Sequence, residues 1–314
     1  MRILFMGTPD FARVSLRSLI EGGYEVIGVV TQPDRPKGRG LELQPSEVKT
    51  LALQHHLPVW QPEKVAAPDF LELFKELAPD LVVVVAFGQK IPPEILFGPR
   101  YGCINVHGSL LPKYRGAAPI QWSILNGDTS TGVTTMYMDE GWDTGDLIYQ
   151  EALAIDPDEN FAGLYQRLAD LGGELLVKTV RDIQKGVAPR TKQNHSLASS
   201  APKLRQEQQR IDWAQPALAI HNLVRALAPV PGAETYLNGE RLKVIETKMV
   251  DPSISMGETG VPGGVLQIRK KEGILVAAGD RPLLITKIQP AGKKIMTALE
   301  YANGRSVKGG ISFN

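Results

Sequence analysis

The sequence predicts an α/β protein: a doubly wound, Rossmann-like, mostly parallel sheet followed by a smaller β-barrel domain. Three observations predict it. Short apolar runs alternate with helix-like stretches through the first half, the form a parallel sheet takes when helices cover both faces. The final third breaks instead into short strands separated by Gly, Pro and Asn, as small barrels do. And 314 residues, 43% apolar and 22% charged, exceed one usual domain while supplying enough apolar material for two cores.

The first strand is expected over residues 2–6 and a helix over 10–20, where Phe11, Val14 and Leu19 share a face and Gly22-Gly23 stops the run. Strands follow at 25–31, 81–87 and 103–107. After a loop over 109–116 comes a short helix at 119–125. Strands at 131–138 and 146–155 bracket Asp139-Glu140-Gly141-Trp142-Asp143-Thr144-Gly145, and a long helix covers 161–185. Residues 186–209 are polar, rich in Ser, Ala and Pro, and periodic in neither sense, which marks a linker. A helix at 216–227 and strands at 234–238, 241–249, 264–269, 273–277 and 282–289 read as an OB-like barrel. The expected division is residues 1–186, a linker over 187–206, and a barrel over 207–314. There are no internal repeats.

Net charge is only +1, so nucleic-acid binding does not dominate the whole chain. The charge is uneven, however. Residues from Glu207 onward carry a net +4, and from Val265 onward a net +6. A basic tail domain beside a mildly acidic larger one implies that only the second domain faces a polyanion; the competing reading is a merely solvated charged face. The single cysteine, Cys103, cannot form an internal disulfide, and no basic or apolar leader precedes the first strand. The longest apolar runs fall far short of the roughly 20 residues of a membrane helix. A cytoplasmic protein without a membrane span is expected.

The first strand-to-helix turn has one glycine, Gly7, where a dinucleotide fingerprint wants three, and there is no G-x-x-x-x-G-K-[ST] loop or H-E-x-x-H helix. NAD, nucleoside-triphosphate and zinc chemistries are therefore disfavoured. Asp143-Thr144-Gly145 matches the aspartic-protease triplet, but those enzymes need two copies on an all-β scaffold. In a doubly wound sheet ligands bind at the carboxyl ends of strands, so Gly7-Thr8-Pro9-Asp10, Phe87-Gly88 and Asn105 to Gly108 should meet at one crevice. Asn105 and His107, two apart in a strand, point to the same side there, pairing an amide donor with a titratable imidazole. Two structural polar groups would look the same from the sequence. The next loop adds Lys113, Tyr114 and Arg115 beside the crevice.

The run Asn105-Val106-His107-Gly108-Ser109-Leu110-Leu111-Pro112-Lys113-Tyr114-Arg115-Gly116, followed by Asp143-Thr144-Gly145-Asp146, resembles the formyltransferase family that uses 10-formyl-tetrahydrofolate. Gly7-Thr8-Pro9-Asp10-Phe11, the stretch from Thr31 to Gly40, Ala201-Pro202-Lys203-Leu204 and Gln289-Pro290-Ala291-Gly292-Lys293-Lys294 extend the resemblance to the branch acting on methionyl initiator tRNA. Two stretches depart from the family pattern. Gly38-Arg39-Gly40 runs into Leu41-Glu42-Leu43 rather than two lysines, and Arg225 to Pro231 lacks the usual Asn and Trp.

The resemblance implies formyl transfer from 10-formyltetrahydrofolate to the amino group of methionyl initiator tRNA, with no metal. Such a transfer passes through a tetrahedral oxyanion and moves a proton from the attacking to the leaving nitrogen. Asn105 and a protonated His107 would donate to the oxyanion, and Asp143 would support the imidazolium and relay protons. A folate slot is expected at Phe87, Gly88 and Ile91, bounded by Ser109, Leu110, Leu111 and Pro112 and closed by Asp139 and Gly141. Phe11, Arg39, Lys113, Arg115, Lys293 and Lys294 are the expected tRNA and acceptor contacts, with Arg39 sensing the weak first base pair. The chain is expected to act as a monomer without a membrane partner. A formyltransferase acting on a nucleotide-linked amino sugar, a formyltetrahydrofolate hydrolase and a non-catalytic tRNA-binding module are the alternatives; the basic second domain favours tRNA.

Overall fold

The structure, a computed structural model, describes residues 1–37, 42–254, 260–305, 307 and 309–314. Contacts divide the chain into two units. The first comprises Met1–Pro119, Thr131–Leu153 and Tyr165–Ala201; the second comprises Ile120–Ser130, Ala154–Leu164 and Pro202–Asn314.

The strands up to residue 154 are β1 (Ile3–Gly7), β2 (Val26–Val30), β3 (Arg35–Lys37), β4 (Glu42–Gln44), β5 (Val59–Trp60), β6 (Leu81–Val85), β7 (Cys103–His107), β8 (Ser130–Tyr137) and β9 (Leu147–Ala154). Helices α1 (Asp10–Glu21), α2 (Glu47–Gln54), α3 (Pro68–Leu77), α4 (Pro93–Phe97), α5 (Pro119–Leu125) and α6 (Phe161–Gln184) connect them. The main sheet has the order β5-β2-β1-β6-β7-β8-β9. Its β5-β2-β1-β6-β7 part is parallel, and β8 joins β7 antiparallel. Every residue of β1 and β6 is buried, which is why both runs are apolar without alternation. Helix α1 ends where Gly22 and Gly23 stand, and Gly23 adopts φ 72°, a conformation that costs glycine nothing. Helices α2, α3 and α4, the two-residue edge strand β5 and the β3–β4 hairpin have no counterpart in the reading by apolar runs.

The second unit is built on a six-stranded antiparallel sheet. Strands β10 (Ala233–Leu237), β11 (Glu240–Met249), β12 (Val265–Arg269), β13 (Gly273–Ala277) and β14 (Pro282–Pro290) run in the order β10-β11-β14-β13-β12, and β15 (Met296–Thr297) pairs with β14. The chain's last residues reach both ends of this order, through bridges Leu237↔Phe313 and Gly264↔Ser312. Helices α7 (Ala217–Leu227) and α8 (Ala298–Arg305) accompany the sheet. Its core includes Trp213 and Phe313, whose rings lie 5.5 Å apart.

Residues 154–164 group with this second unit for a specific reason. Buried His221 on α7 meets the Pro157 carbonyl at 3.2 Å, and the Arg225 guanidinium donates to the carbonyls of Asp156 at 3.3 Å and Glu159 at 2.9 Å. His221 Nε2 and Arg225 Nη1, buried on α7, thus find their acceptors in this loop.

Candidate active site

Strand β7 sits between β6 and β8, so its carboxyl end is held by a parallel neighbour on one side and an antiparallel one on the other. Asn105 and His107 occupy that end, as their spacing predicts. Across from them, the loop after β8 delivers Asp143. The Asn105 Nδ2 atom donates to Asp143 Oδ1 at 3.4 Å, and His107 Nδ1 lies 3.7 Å from the same oxygen. Asp143 Oδ2 accepts from the Gly116 N–H at 2.9 Å. One carboxylate therefore meets both strand residues and the turn that follows them.

The second nitrogen of the imidazole identifies the tautomer. His107 Nε2 is 2.9 Å from the Tyr114 carbonyl, and a carbonyl only accepts, so Nε2 carries the proton. Nδ1 is then the nitrogen that gains or loses a proton, and it is the one turned toward Asp143. His107 is 6% exposed, so bulk water competes little for these contacts.

The Asp143 loop is braced from within. Asp139 Oδ1 accepts from the Gly141 N–H at 3.0 Å and from the Thr144 hydroxyl at 2.6 Å. Asp143 itself takes φ 53°, a left-handed conformation that short polar side chains tolerate better than others. Gly145 is required: a Cβ there would run into the Tyr137 carbonyl.

The loop after β7 folds on a second polar framework. The Ser109 hydroxyl donates to the Lys113 carbonyl at 2.7 Å, Thr134 Oγ1 donates to the Ser109 carbonyl at 2.6 Å, and the Leu111 N–H donates to Thr134 Oγ1 at 3.1 Å. Ser109 and Leu111 are buried, whereas Leu110 and Pro112 are partly exposed apolar surface. Phe87 is also buried, 2% exposed within the core cluster that includes Ile91 and Val84. Its carbonyl accepts from Thr8 Oγ1 at 3.3 Å and Gln32 Nε2 at 3.1 Å, and Gly88 follows with φ 86°. What Phe87 offers a crevice is thus backbone rather than ring, and Ile91, 3% exposed, is likewise a core residue.

The residues expected on the acceptor side differ in exposure and in the partners they already hold. Phe11 is 5% exposed, its ring edge-on to Tyr165 at 5.5 Å, so it is packed rather than free to line a slot. Lys113 is exposed. The Arg115 guanidinium is engaged, bonding Gln193 Oε1 at 2.6 Å and His195 Nδ1 at 3.0 Å. Lys293 and Lys294 are exposed in the second unit, in the turn between β14 and β15. Arg39 lies outside the described residues.

Several contributors have no sequence signal. Gln193 and Ser199 lie in the stretch whose composition reads as linker, yet Gln193 Nε2 donates to the Asp143 carbonyl at 2.9 Å and Ser199 Oγ accepts from the Tyr114 N–H at 2.9 Å. Thr134 and Gln150 likewise work from strands with no motif around them, and Gln32 works from the Thr31 to Gly40 stretch, where the resemblance gave it no role. Gln150 Nε2 donates to the Leu111 carbonyl at 2.8 Å.

Comparison with known proteins completes the description. The formyl transferase profile matches residues 1–180, and the formyl transferase C-terminal domain profile matches residues 203–306. A methionyl-tRNA formyltransferase of Geobacter sulfurreducens is 48% identical over 304 residues, covering 97% of this chain and 94% of the relative. The methionyl-tRNA formyltransferase of Clostridioides difficile is 47% identical over 311 residues, covering 99% of each. Among solved structures, an N-formyltransferase from Helicobacter canadensis in complex with folinic acid and dTDP-3-aminofucose aligns with a TM-score of 0.66 at 20% identity, over 92% of this chain and 98% of that one. At that identity the likeness is one of fold.

Proposed function

The chain belongs to the formyl transferase family, and from that premise we infer that it transfers a formyl group from 10-formyltetrahydrofolate to the amino group of methionyl initiator tRNA. Near-complete alignment with relatives named methionyl-tRNA formyltransferase supports the acceptor; the donor follows from the family. On the protein side one observation carries the reading: a single carboxylate, Asp143, meets an amide donor and an imidazole at the end of a central strand.

The residues present suit a flat, partly apolar donor. A Cβ built on Gly88 would find only the Gln32 amide, at 3.9 Å, so the space beside that backbone is open. Leu110 and Pro112 offer apolar surface, and Gly141 an exposed backbone. In this reading Phe87, Gly88, Ile91, Ser109, Leu110, Leu111, Pro112, Asp139 and Gly141 frame the slot, with the buried members holding the exposed ones in place. When bound, the donor supplies a formyl group on nitrogen.

The protein's part is to stabilise charge and move a proton. As an amine adds to the formyl carbon, negative charge grows on the formyl oxygen. In this reading the Asn105 amide and the Nδ1–H of a protonated His107, which both face Asp143 Oδ1 in the structure, are the donors offered to that oxygen, a stabilisation worth ~3 kcal/mol per donor. Asp143 balances the imidazolium and relays, through water, the proton the incoming amine sheds to the departing nitrogen. No covalent bond to the protein is needed.

On the acceptor side, phosphates supply most nucleic-acid affinity, and Lys113, Lys293 and Lys294 are exposed cations suited to that task. Arg39, Arg115 and Phe11 complete the proposed acceptor set, Arg115 and Phe11 through the turns they support. The protein acts in translation initiation, and we place it in the cytoplasm as a monomer. Among the described residues, no helix is long and apolar enough to cross a membrane.

One assay tests the reading. The purified protein is given 10-formyltetrahydrofolate with charged initiator tRNA, charged elongator tRNA or a nucleotide-linked amino sugar, and the formylated product is measured. Formylation of initiator methionyl-tRNA is expected. Formylation of the sugar alone, or release of formate with no acceptor dependence, would assign a different reaction.

A further inference from the structure

The segment from Thr191 to Ala201 is bonded to both loops that build the site. Thr191 pairs antiparallel with Leu147, and Ser200 pairs parallel with Arg115. The Arg115 N–H donates to the Ser199 carbonyl at 2.8 Å, and the Ala201 N–H donates to the Arg115 carbonyl at 2.7 Å. Between these anchors stands Gln193, 5% exposed. Its Nε2 donates to the carbonyls of Asp143 at 2.9 Å and Gly145 at 2.8 Å, while its Oε1 accepts from Arg115 Nη2 at 2.6 Å and Nε at 3.3 Å. The amide orientation follows from chemistry: reversed, it would set oxygen against two carbonyls and an NH2 group against a guanidinium.

We propose that Gln193 is a positioning residue for formyl transfer. Its NH2 group grips the carbonyls at Asp143 and Gly145, and its oxygen ties that loop to Arg115, the residue before Gly116. Asp143 is bonded at Gly116 as well, so the same two loops are joined twice, once through the carboxylate and once through Gln193. The backbone of Asp143 holds φ 53°, which a side chain disfavours, and the Gln193 amide is bonded to that residue's own carbonyl. The consequence is that Oδ1 stays aimed at Asn105 and His107 without rearrangement during the reaction, the condition for preorganised catalysis. This inference rests on the reading of Asp143 as part of the reacting centre.

The test is Gln193→Glu, which keeps size and the acceptor oxygen for Arg115 but removes both donors to the loop. Thermal midpoint and folate binding establish that the variant is folded. Its kcat on initiator methionyl-tRNA is expected to fall about tenfold or more, with the donor KM within about twofold of wild type. The same substitution placed on Asp143→Asn should cost little further, because a residue acting through Asp143 has nothing left to position. A purely structural side chain would instead cost the same factor in both backgrounds, and that result, or an unchanged kcat in folded Gln193→Glu, overturns the proposal. Should Gln193→Glu fail to fold, Gln193→Asn, an amide one methylene shorter, is read by the same cycle; failure of both to fold would make the residue structural and overturn the proposal too. Full turnover by Asp143→Asn alone would refute the underlying reading of the site, whereas a slow Asp143→Asn beside a fast Gln193→Glu refutes only this inference.

Discussion

The Asp143 carboxylate accepts from the backbone N–H of Gly116 at 2.9 Å through Oδ2, which leaves Oδ1 to face Asn105 and His107. Neither oxygen is spare. In Asp143→Asn one position becomes an NH2 group, which would oppose either the Gly116 N–H or the Asn105 amide.

Asp143→Asn and His107→Ala are therefore each expected to lower the single-turnover rate on the order of a hundredfold or more, with donor affinity close to wild type. The double variant should lose less than the product of the two, since both act on one proton and one charge. Near wild-type rates in either single variant, at full donor occupancy, would remove these residues from the chemistry.

Gly116 stands at φ 122°, and a Cβ there would lie 2.8 Å from the Ala201 carbonyl oxygen. Gly116→Ala should thus destabilise the protein by about 1–2 kcal/mol and lower kcat as well, because the turn that anchors Asp143 must shift. Gly304→Ala is the control: its Cβ would meet nothing within 4 Å on helix α8, and no loss of thermal midpoint or rate is expected there. Equal effects at the two glycines would contradict the argument.

Replacing Lys293 and Lys294 together by alanine should raise the KM for tRNA while leaving the donor KM alone. If both meet phosphates, the slope of log affinity against log salt falls by up to about 2. Binding measured across a salt series checks this, and an unchanged slope would move the contact elsewhere.

Arg39→Leu is expected to reduce formylation of initiator tRNA with folate affinity unchanged. Kinetics on initiator tRNA and on a variant with a paired first position decide it; the same preference between the two substrates in Arg39→Leu would show that selection lies at other residues.

His221 provides a pH prediction. Burial holds its imidazole below the ordinary value, Arg225 adds to the effect, and the Pro157 carbonyl and Asp158 oppose it. The unfolded chain, titrating near about 6.5, takes up the proton first, so the folded state keeps this contribution above that pH and loses it as pH falls below. The thermal midpoint should drop from pH 7 to pH 5, and less so in His221→Gln. Superimposable pH profiles for the two proteins would show that another group sets the acid limit.

How much of this was legible beforehand differs by element. Residues 81–87 read as a strand because a parallel strand buried on both faces must be apolar throughout; the strand that forms, Leu81–Val85, is buried at all five positions. Asn105 and His107 stood out because a strand's two-residue period puts them side by side. Phe11 and Phe87 show the limit of that reasoning. An aromatic residue just past a strand lies near the crevice on any account, but whether its ring faces the crevice or the core depends on neighbours such as Tyr165, 154 residues away from Phe11 in the chain. The stretch 186–209 read as linker because its polar side chains lack periodicity, yet buried polar groups such as Gln193 need partners rather than periods.

By itself, then, the sequence determined what short-range periodicity and spaced motifs encode: a mostly parallel sheet, a second domain of short strands read as a barrel, and Asn105, His107 and Asp143 as the candidate reacting residues of a formyltransferase. The tertiary structure alone decided how those residues meet. Asn105 reaches Asp143 across 38 positions, Gln193 reaches the Asp143 carbonyl across 50, and Arg115 reaches Gln193 across 78. Hydrogen bonds of this range leave no local pattern, because each donor is chosen by where the chain brings an acceptor that burial has cut off from water.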